Sequence, residues 1–495
     1  MFETLTVLPI SFWVVVLLLV AGGVWAATRV REGIGLPMLA VLGTVAAWYV
    51  GDALYNDYAN YHVKIFSADV LANAWWQVAW FILVFLWLAP LIHRRLNGRE
   101  LHQSSQVFQL TQTGAEEPLF QFRLEQLFWG TALVWAVMAG IAAIKLKWEL
   151  PYYFFPYLDH KADPWGRDRI GTGFDSLLAL AGYLQTFVAA MFGLVAALAR
   201  NGTVRSLALL GCFLVWPYYL FDRTRNVMLS TMLPAILAWV FIRLRNSLFI
   251  KVTILVGFFL CTQIWMAFII ANRSDISIVA AVHGEGTSVQ TASHEAHQEG
   301  LSMFEELCWV NTIITDGSYH PNWGARYFAE IVNPIPRSLW HGKPMIGIDY
   351  AIARGMGGAE NDSSANVNAT FSTGMIGQGV VNFGGVLGPA FAALLMAFWA
   401  AVLARQDLHA NQLGRLPLYV LGLVLTFNLG RDISLITLYS FVFGAMIVWW
   451  LNRKAQREEA SAQRRAAAKE QRAGLRRNGS PVPISATDKE SRNLK

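Results

Sequence analysis

Residues 8–27 read LPISFWVVVLLLVAGGVWAA, twenty positions without a charged side chain, and Arg29 and Arg31 follow at once. A helix of that length rises about 30 Å, the thickness of a bilayer's hydrocarbon core, and this one is apolar on every face. A secretory leader carries its basic residues before the apolar run, whereas here they come after it, so the run reads as a retained span. Similar runs recur near 34–51, 74–93, 125–145, 174–199, 206–221, 226–243, 249–271, 374–404, 415–430 and 432–451. The sixth is short, and the ninth has room to begin with a half-buried segment. The pattern predicts an all-α, polytopic transmembrane helical bundle of about eleven spans, with no internal repeat.

Composition agrees. Apolar residues make up 55% of the 495 positions and charged residues only 15%. A soluble domain carries nearer a quarter charged, so water is not the main solvent of these helices. The net charge of +6 is concentrated at one end, because residues 452–495 hold twelve Lys/Arg against five Asp/Glu. The remainder is close to neutral, which argues against a nucleic-acid-binding body and leaves a basic tail. Beyond Asn478 its Ser/Pro/Thr content points to disorder. Cys212, Cys261 and Cys308 are widely spaced, so neither a disulfide framework nor a structural zinc site is expected.

Lys and Arg in short loops set orientation. Arg29, Arg31, Arg94, Arg95, Arg99, Arg123, Arg200, Arg205, Arg243, Arg245, Lys251, Arg405, Arg415 and the tail fall on alternate loops. They belong in the cytoplasm, which puts the N-terminus outside and the C-terminus inside. The 146–173 loop is an exception in which basic residues are matched by acids such as Asp159, Asp163 and Asp168. Four regions follow: a membrane bundle over 1–271 (about eight spans), a large external loop over 272–373 containing short helices, further spans over 374–451 (about three), and the cytoplasmic tail over 452–495.

The unusual polar residues face outward. Asp222-Arg223-Thr224-Arg225 lies in a tight turn between two spans, and Gly430-Arg431-Asp432 lies in another. Arginine outside runs against the orientation rule, so something else must explain it. A guanidinium fork grips phosphate oxygens and keeps its charge at physiological pH. The plainer reading is local ion pairing and snorkelling to lipid headgroups. In the loop, 282–299 holds His283, His294 and His297 among acids, with little apolar content to support a metal site; it reads as a solvated linker.

Leu301–Asp316 places Met303, Phe304, Leu307, Val310, Ile313 and Ile314 at helical spacing, an amphipathic helix with Glu305, Glu306 and Asp316 on its wet face. Glu306 is a candidate general base. Next, Asn333-Pro334-Ile335-Pro336-Arg337-Ser338-Leu339-Trp340-His341-Gly342-Lys343-Pro344 is held extended by three prolines and presents Arg337 and Lys343 to an anion. His341 between them titrates near neutral pH and is a second candidate acid or base. The glycines of Gly374-Met375-Ile376-Gly377-Gln378-Gly379 and Asn382-Phe383-Gly384-Gly385 allow close backbone approach, to another helix or to a lipid-linked ligand.

In these segments the chain resembles the Wzy-type O-antigen polymerases, the bacterial oligosaccharide repeat-unit polymerases. The shared features are Pro-Ile-Pro-Arg-Ser-Leu-Trp ending in Gly-Lys-Pro, Gly-Gln-Gly followed by Asn-Phe-Gly-Gly at a span start, and Asp-Arg-Thr-Arg after a Tyr-rich span. Ten or more helices with a large external loop in the second half agree as well. The family pattern Trp-Pro-Gly-Lys-Pro has proline where this chain has His341, so no family role passes to that residue.

The resemblance implies a GT-C-like membrane glycosyltransferase of the bacterial inner membrane. Its donor would be a glycan on undecaprenyl diphosphate, its acceptor a lipid-linked repeat unit, and a chain-length regulator its partner protein. Arg223, Arg225, Arg337, Lys343 and Arg431 would hold the diphosphate, with no cofactor and no metal. An O-antigen ligase shares that chemistry. A flippase or transporter would place charges at mid-span, and these spans are nearly free of them. A non-enzymatic scaffold would not need the external arginines.

Overall fold

The computed structural model describes residues 7–56, 58–98, 104–113, 118–156, 164–165, 175–221, 225–244, 247–271, 302–336, 338–344, 347–355, 372–410, 412, 414–453 and 461. Among them every regular element is helical. Among the described residues eight helices are long and apolar enough to cross a membrane, the build of a multi-pass membrane protein. In chain order the principal helices are α1 (Ile10–Thr28), α2 (Gly35–Tyr55), α3 (Ala68–Asn97), α4 (Pro118–Lys145), α5 (Asp175–Leu198) and α6 (Gly202–Phe221). They continue with α7 (Arg225–Ala238), α8 (Leu248–Ala271), α9 (Met303–Thr315), α10 (Ala325–Val332), α11 (Ile348–Ala353), α12 (Gly374–Leu408), α13 (Arg415–Leu429) and α14 (Leu435–Arg453). The apolar stretches Val227–Arg243, Phe249–Trp265 and Arg415–Leu429 are shorter than the eight.

The chain divides into two units, Met1–Gly444 and Ala445–Lys495. In the second, Arg453 stacks over the Trp449 ring at 3.9 Å and Asn452 Nδ2 donates to the Val448 carbonyl at 2.9 Å. All that follows concerns the first.

Local chemistry sets several boundaries. Ser67 caps α3 by accepting from the Val70 amide, Asp69 sits in its first turn, and Arg94 and Arg95 sit in its last, the arrangement a helix dipole favours. The basic residues gather at one end of the bundle. There the Ser105 amide donates to the Arg31 carbonyl at 2.8 Å, Val107 donates to Asp407 at 2.9 Å, and Arg415 donates to Gln406 at 2.9 Å. Arg243 caps the end of α5 by donating to the Ala199 carbonyl at 3.0 Å. We call this the basic end, and the opposite one, where residues 302–355 pack, the loop end.

Two expectations need correction. Residues 374–404 read as a single span with room for a half-buried segment at its start, and α12 in fact breaks at Gly384, whose φ of 79° and ψ of 180° leave the helix. Only glycine adopts that conformation readily. The chain doubles back there: a side chain on Gly379 would collide with the Gly388 carbonyl, nine residues on. A half-helix, 374–383, therefore packs against the start of the long segment that runs to Leu408. Pro389 lies five residues past the break, near the start of that segment.

The second correction concerns α9. Ser302 caps its start, its Oγ accepting from the Glu305 amide at 3.2 Å. But of its supposed wet face only Asp316 is exposed, while Glu305 and Glu306 are covered, 3% and 1% exposed. Phe304 stacks on Trp75 of α3 with ring centroids 4.0 Å apart. Asn311 and Gln77 exchange paired amide bonds of 2.7 and 2.9 Å. Met303, Phe304, Leu307, Cys308 and Val310 have no exposed surface. Keeping each large apolar side chain of this set from water stabilises the docking by about 1.5–3 kcal/mol, so α9 is part of the core at the loop end.

Candidate functional site

The half-helix organises the polar chemistry. Its last carbonyls, on Val381 and Asn382, accept from the Asn322 and Trp323 amides at 3.1 and 2.8 Å. The turn that supplies those amides needs left-handed backbone at Trp323 (φ 54°) and Gly324 (φ 91°). It then launches α10, whose Tyr327 packs its ring on Phe383 and Phe391. The start of the half-helix is held by the α13–α14 turn and by α2. The Met375 amide donates to the Gly430 carbonyl at 3.0 Å, and the Ile376 amide to the Tyr49 hydroxyl at 3.0 Å. Tyr49 lies in a π-helical stretch of α2, Ala46–Gly51, a local irregularity frequent at functional sites.

Between these pieces sits Asp432. Its carboxylate faces Arg326 of α10 at 3.5 Å and accepts from the Thr373 amide at 3.2 Å and the Thr373 hydroxyl at 3.4 Å. Arg326 is 3% exposed and lies under Gly347, whose φ of 68° suits glycine and leaves room for the guanidinium. Glu330, one turn along α10, is also buried, with one carboxylate oxygen unpartnered among the described residues. Burial, then the charge of Asp432, pushes its pKa up to about 7 against the pull of Arg326. Burial raises Asp432 as well, opposed chiefly by Arg326. Arg431 donates through Nη2 to Ser372 at 3.1 Å, while its buried Nε has no partner among the described residues. A buried guanidinium donor left open in this way suits an oxygen anion.

A second polar group adjoins the first. Glu306 accepts from the Tyr350 hydroxyl at 2.6 Å and faces Arg354 at 3.7 Å, and Arg354 in turn lies over the Trp309 ring at 3.8 Å. Burial raises the Glu306 pKa, while Tyr350 and Arg354 oppose the rise. Tyr319 donates to Asp349 at 2.6 Å, and Ser302 donates to Asp52 at 2.5 Å. Among the described residues no three His, Cys, Asp or Glu side chains come together as a metal site.

An apolar groove of about 430 Å³ runs between α2, α7 and α13, lined by residues such as Leu39, Leu233 and Phe427. Its lining extends from Leu36 to Thr44 and from Leu229 to Leu237, roughly 12 Å along each helix. Thr44 and Asn428 are its polar members. Asn428 Nδ2 donates to Ser230 Oγ at 3.2 Å, which ties α13 to α7. Arg431 follows Asn428 by about one turn, and Arg225 precedes Ser230 by between one and two turns. The start of α7, which Arg225 opens, and the end of α13, which Arg431 follows, thus lie toward the same end of the groove.

The sequence-derived candidates fall as follows. Arg431 sits beside the Asp432 cluster, and Arg225 opens α7, its side chain outside the described residues. Arg223, Arg337 and the His-rich 282–299 stretch lie outside the described residues altogether. Lys343 turns inward, 4% exposed, and its ammonium donates to the Asn333 and Ile335 carbonyls at 2.8 and 2.9 Å, clipping the proline segment into place. His341 is exposed on that segment. Glu306 is buried in its own cluster. Arg326, Glu330 and Arg354 were not singled out from sequence. The usable signal was Arg326 and Glu330 spaced i, i+4 on α10, opposite Phe328 and Ile331.

These features define a multi-pass helical membrane protein with a buried ionic cluster at one end of the bundle and an apolar groove leading to it. No protein-family model, curated protein or solved structure matches the chain.

Proposed function

We propose that the protein polymerises undecaprenyl-diphosphate-linked oligosaccharide repeat units at the outer face of the bacterial inner membrane. In this reading about eleven segments cross the bilayer, the N-terminus is periplasmic, the basic end and tail are cytoplasmic, and the loop end faces outward. The observation that carries it is that the start of α7 and the end of α13, the two elements next to the external arginines, are tied together at the polar end of the α2–α7–α13 groove. A lipid-linked diphosphate needs that combination, a slot for a hydrocarbon tail and guanidinium donors for the phosphates. Arg431 supplies a buried, unspent N–H.

In the reaction the acceptor hydroxyl oxygen attacks the anomeric carbon of the donor sugar. The bond from that carbon to the diphosphate oxygen breaks, and arginine donors stabilise the charge that develops on the leaving group. The hydroxyl proton passes to a carboxylate. Glu330, whose pKa near 7 suits proton transfer at neutral pH, joins Glu306 as a candidate base. The transfer needs no metal.

The test is polymer length and turnover for Arg225→Lys and Arg431→Lys at matched protein levels in the membrane. Lysine keeps the charge but loses the fork, so each change is expected to slow transfer by about 30- to 1,000-fold, the cost of one charge-assisted contact made in the transition state. Single repeat units should persist on the final carrier while long chains disappear; loss of the single units too would indicate a ligase. Near-normal polymer from both variants would leave only lipid anchoring for these arginines.

A further inference from the structure

The loop carries an apolar surface that no other described residue covers. Along residues 323–340, Trp323 is 76% exposed, Phe328 50%, Ile331 62%, Ile335 37%, Leu339 68% and Trp340 37%. The charged residues of α10 point the other way, with Arg326 and Glu330 buried. Phe328 and Trp340 meet edge to face with centroids 6.2 Å apart, so α10 and the proline segment form one patch. Lys343 fixes that segment through its two carbonyl contacts. A patch of this kind in water is costly, and apolar residues mixed with tryptophan are the side chains that favour the boundary between headgroups and acyl chains.

The patch is also continuous with surface on a long apolar helix. The Trp323 amide bonds to Asn382, and Val386 and Leu387, just past the Gly384 break, are 70% and 59% exposed. Trp80 of α3, itself 41% exposed, donates to the Val386 carbonyl at 3.0 Å. Any bilayer that surrounds α3 and the long segment of α12 therefore reaches the edge of the patch.

We infer that the outward face of residues 323–336 and 338–340 is immersed in the headgroup region of the leaflet at the loop end, with the lipid bilayer as its binding partner. The inference does not depend on the reaction proposed above. It gives the Asp432 cluster a fixed depth, because the inner face of the same helix contributes Arg326 and Glu330. A ligand carried by a lipid would then meet the cluster sideways, from the membrane plane.

The test uses the full chain in lipid nanodiscs, in a Cys261→Ala background that removes the exposed thiol while Cys212 and Cys308 stay buried. Ile331→Cys and Leu339→Cys carry an environment-sensitive fluorophore, and Ser318→Cys, at an exposed polar position, is the reference. The labels at 331 and 339 should emit to the blue of the reference. They should be quenched severalfold less by aqueous iodide, and most strongly by a lipid nitroxide placed just below the headgroup. Iodide quenching equal to the reference would overturn the inference. So would shielding from both iodide and lipid nitroxides, which would mean a protein covers the patch, or quenching mainly by a nitroxide at the chain end.

Discussion

Removing the Arg326 guanidinium tests the centre of the loop-end assembly. In Arg326→Leu, Asp432 keeps the Thr373 amide and hydroxyl and the neighbouring Arg431, but loses the cation 3.5 Å away. Breaking a buried pair from one side costs about 3–5 kcal/mol, and the contacts that remain favour the lower figure, near 3. Asp432→Asn takes the carboxylate from the arginine instead and should cost a similar amount. The double variant removes both charges and should recover about 2–3 kcal/mol relative to the sum of the singles. Thermal unfolding in detergent, followed by tryptophan fluorescence, should place each single variant on the order of 5 °C below the parent, with the double variant closer to it. Burial already raises the Asp432 pKa, and without Arg326 it rises further. The Arg326→Leu deficit should therefore shrink as pH falls and the carboxylate takes up a proton. Additive singles, or a deficit unchanged between alkaline and acidic pH, would refute the claim that this pair holds the site together.

Two further outcomes follow from the same geometry. The native state holds a proton on Glu330 up to about pH 7, while the unfolded chain releases it near the ordinary carboxylate value, so stability falls as pH rises between the two. Glu330→Gln should consequently raise the unfolding midpoint above pH 7, by up to about 3 kcal/mol of stability, with no gain below pH 4; a pH-independent effect would show that the carboxyl is not titrating there. Gly388→Ala puts a methyl into the Gly379 backbone and should cost about 1–3 kcal/mol and loosen the half-helix, detected as increased protease cleavage after Trp323 and Tyr327.

The apolar runs were legible as helices because lipid solvation leaves a one-dimensional signal, length without charge, that needs no knowledge of neighbours. Arg431 was legible too, as a cation seated against the grain of its surroundings. What escaped were features decided by residues far apart in the chain. Hydropathy stays high across Gly384-Gly385, so a reversal and a straight helix look alike until Gly379 and Gly388 are seen to touch. Glu305 and Glu306 read as a wet face because their own helix cannot reveal that Tyr61, Tyr350 and Arg354 will cover them. Arg326 lay in an ordinary-looking loop helix; its importance comes from Asp432, 106 positions later.

That long separation bears on how the protein is made. Arg326 and Glu330 leave the ribosome well before Asp432, and the half-helix cannot find the Gly430 carbonyl or the Ile433 amide until α13 has been synthesised. Until then, Arg326 lacks the Asp432 carboxylate that faces it in the finished protein. The last hairpin thus acts as a latch closed late in biogenesis. A chain truncated before it would carry nearly all of the long apolar helices yet expose an unfinished ionic pocket, a mark by which a membrane protease could tell it from the completed protein.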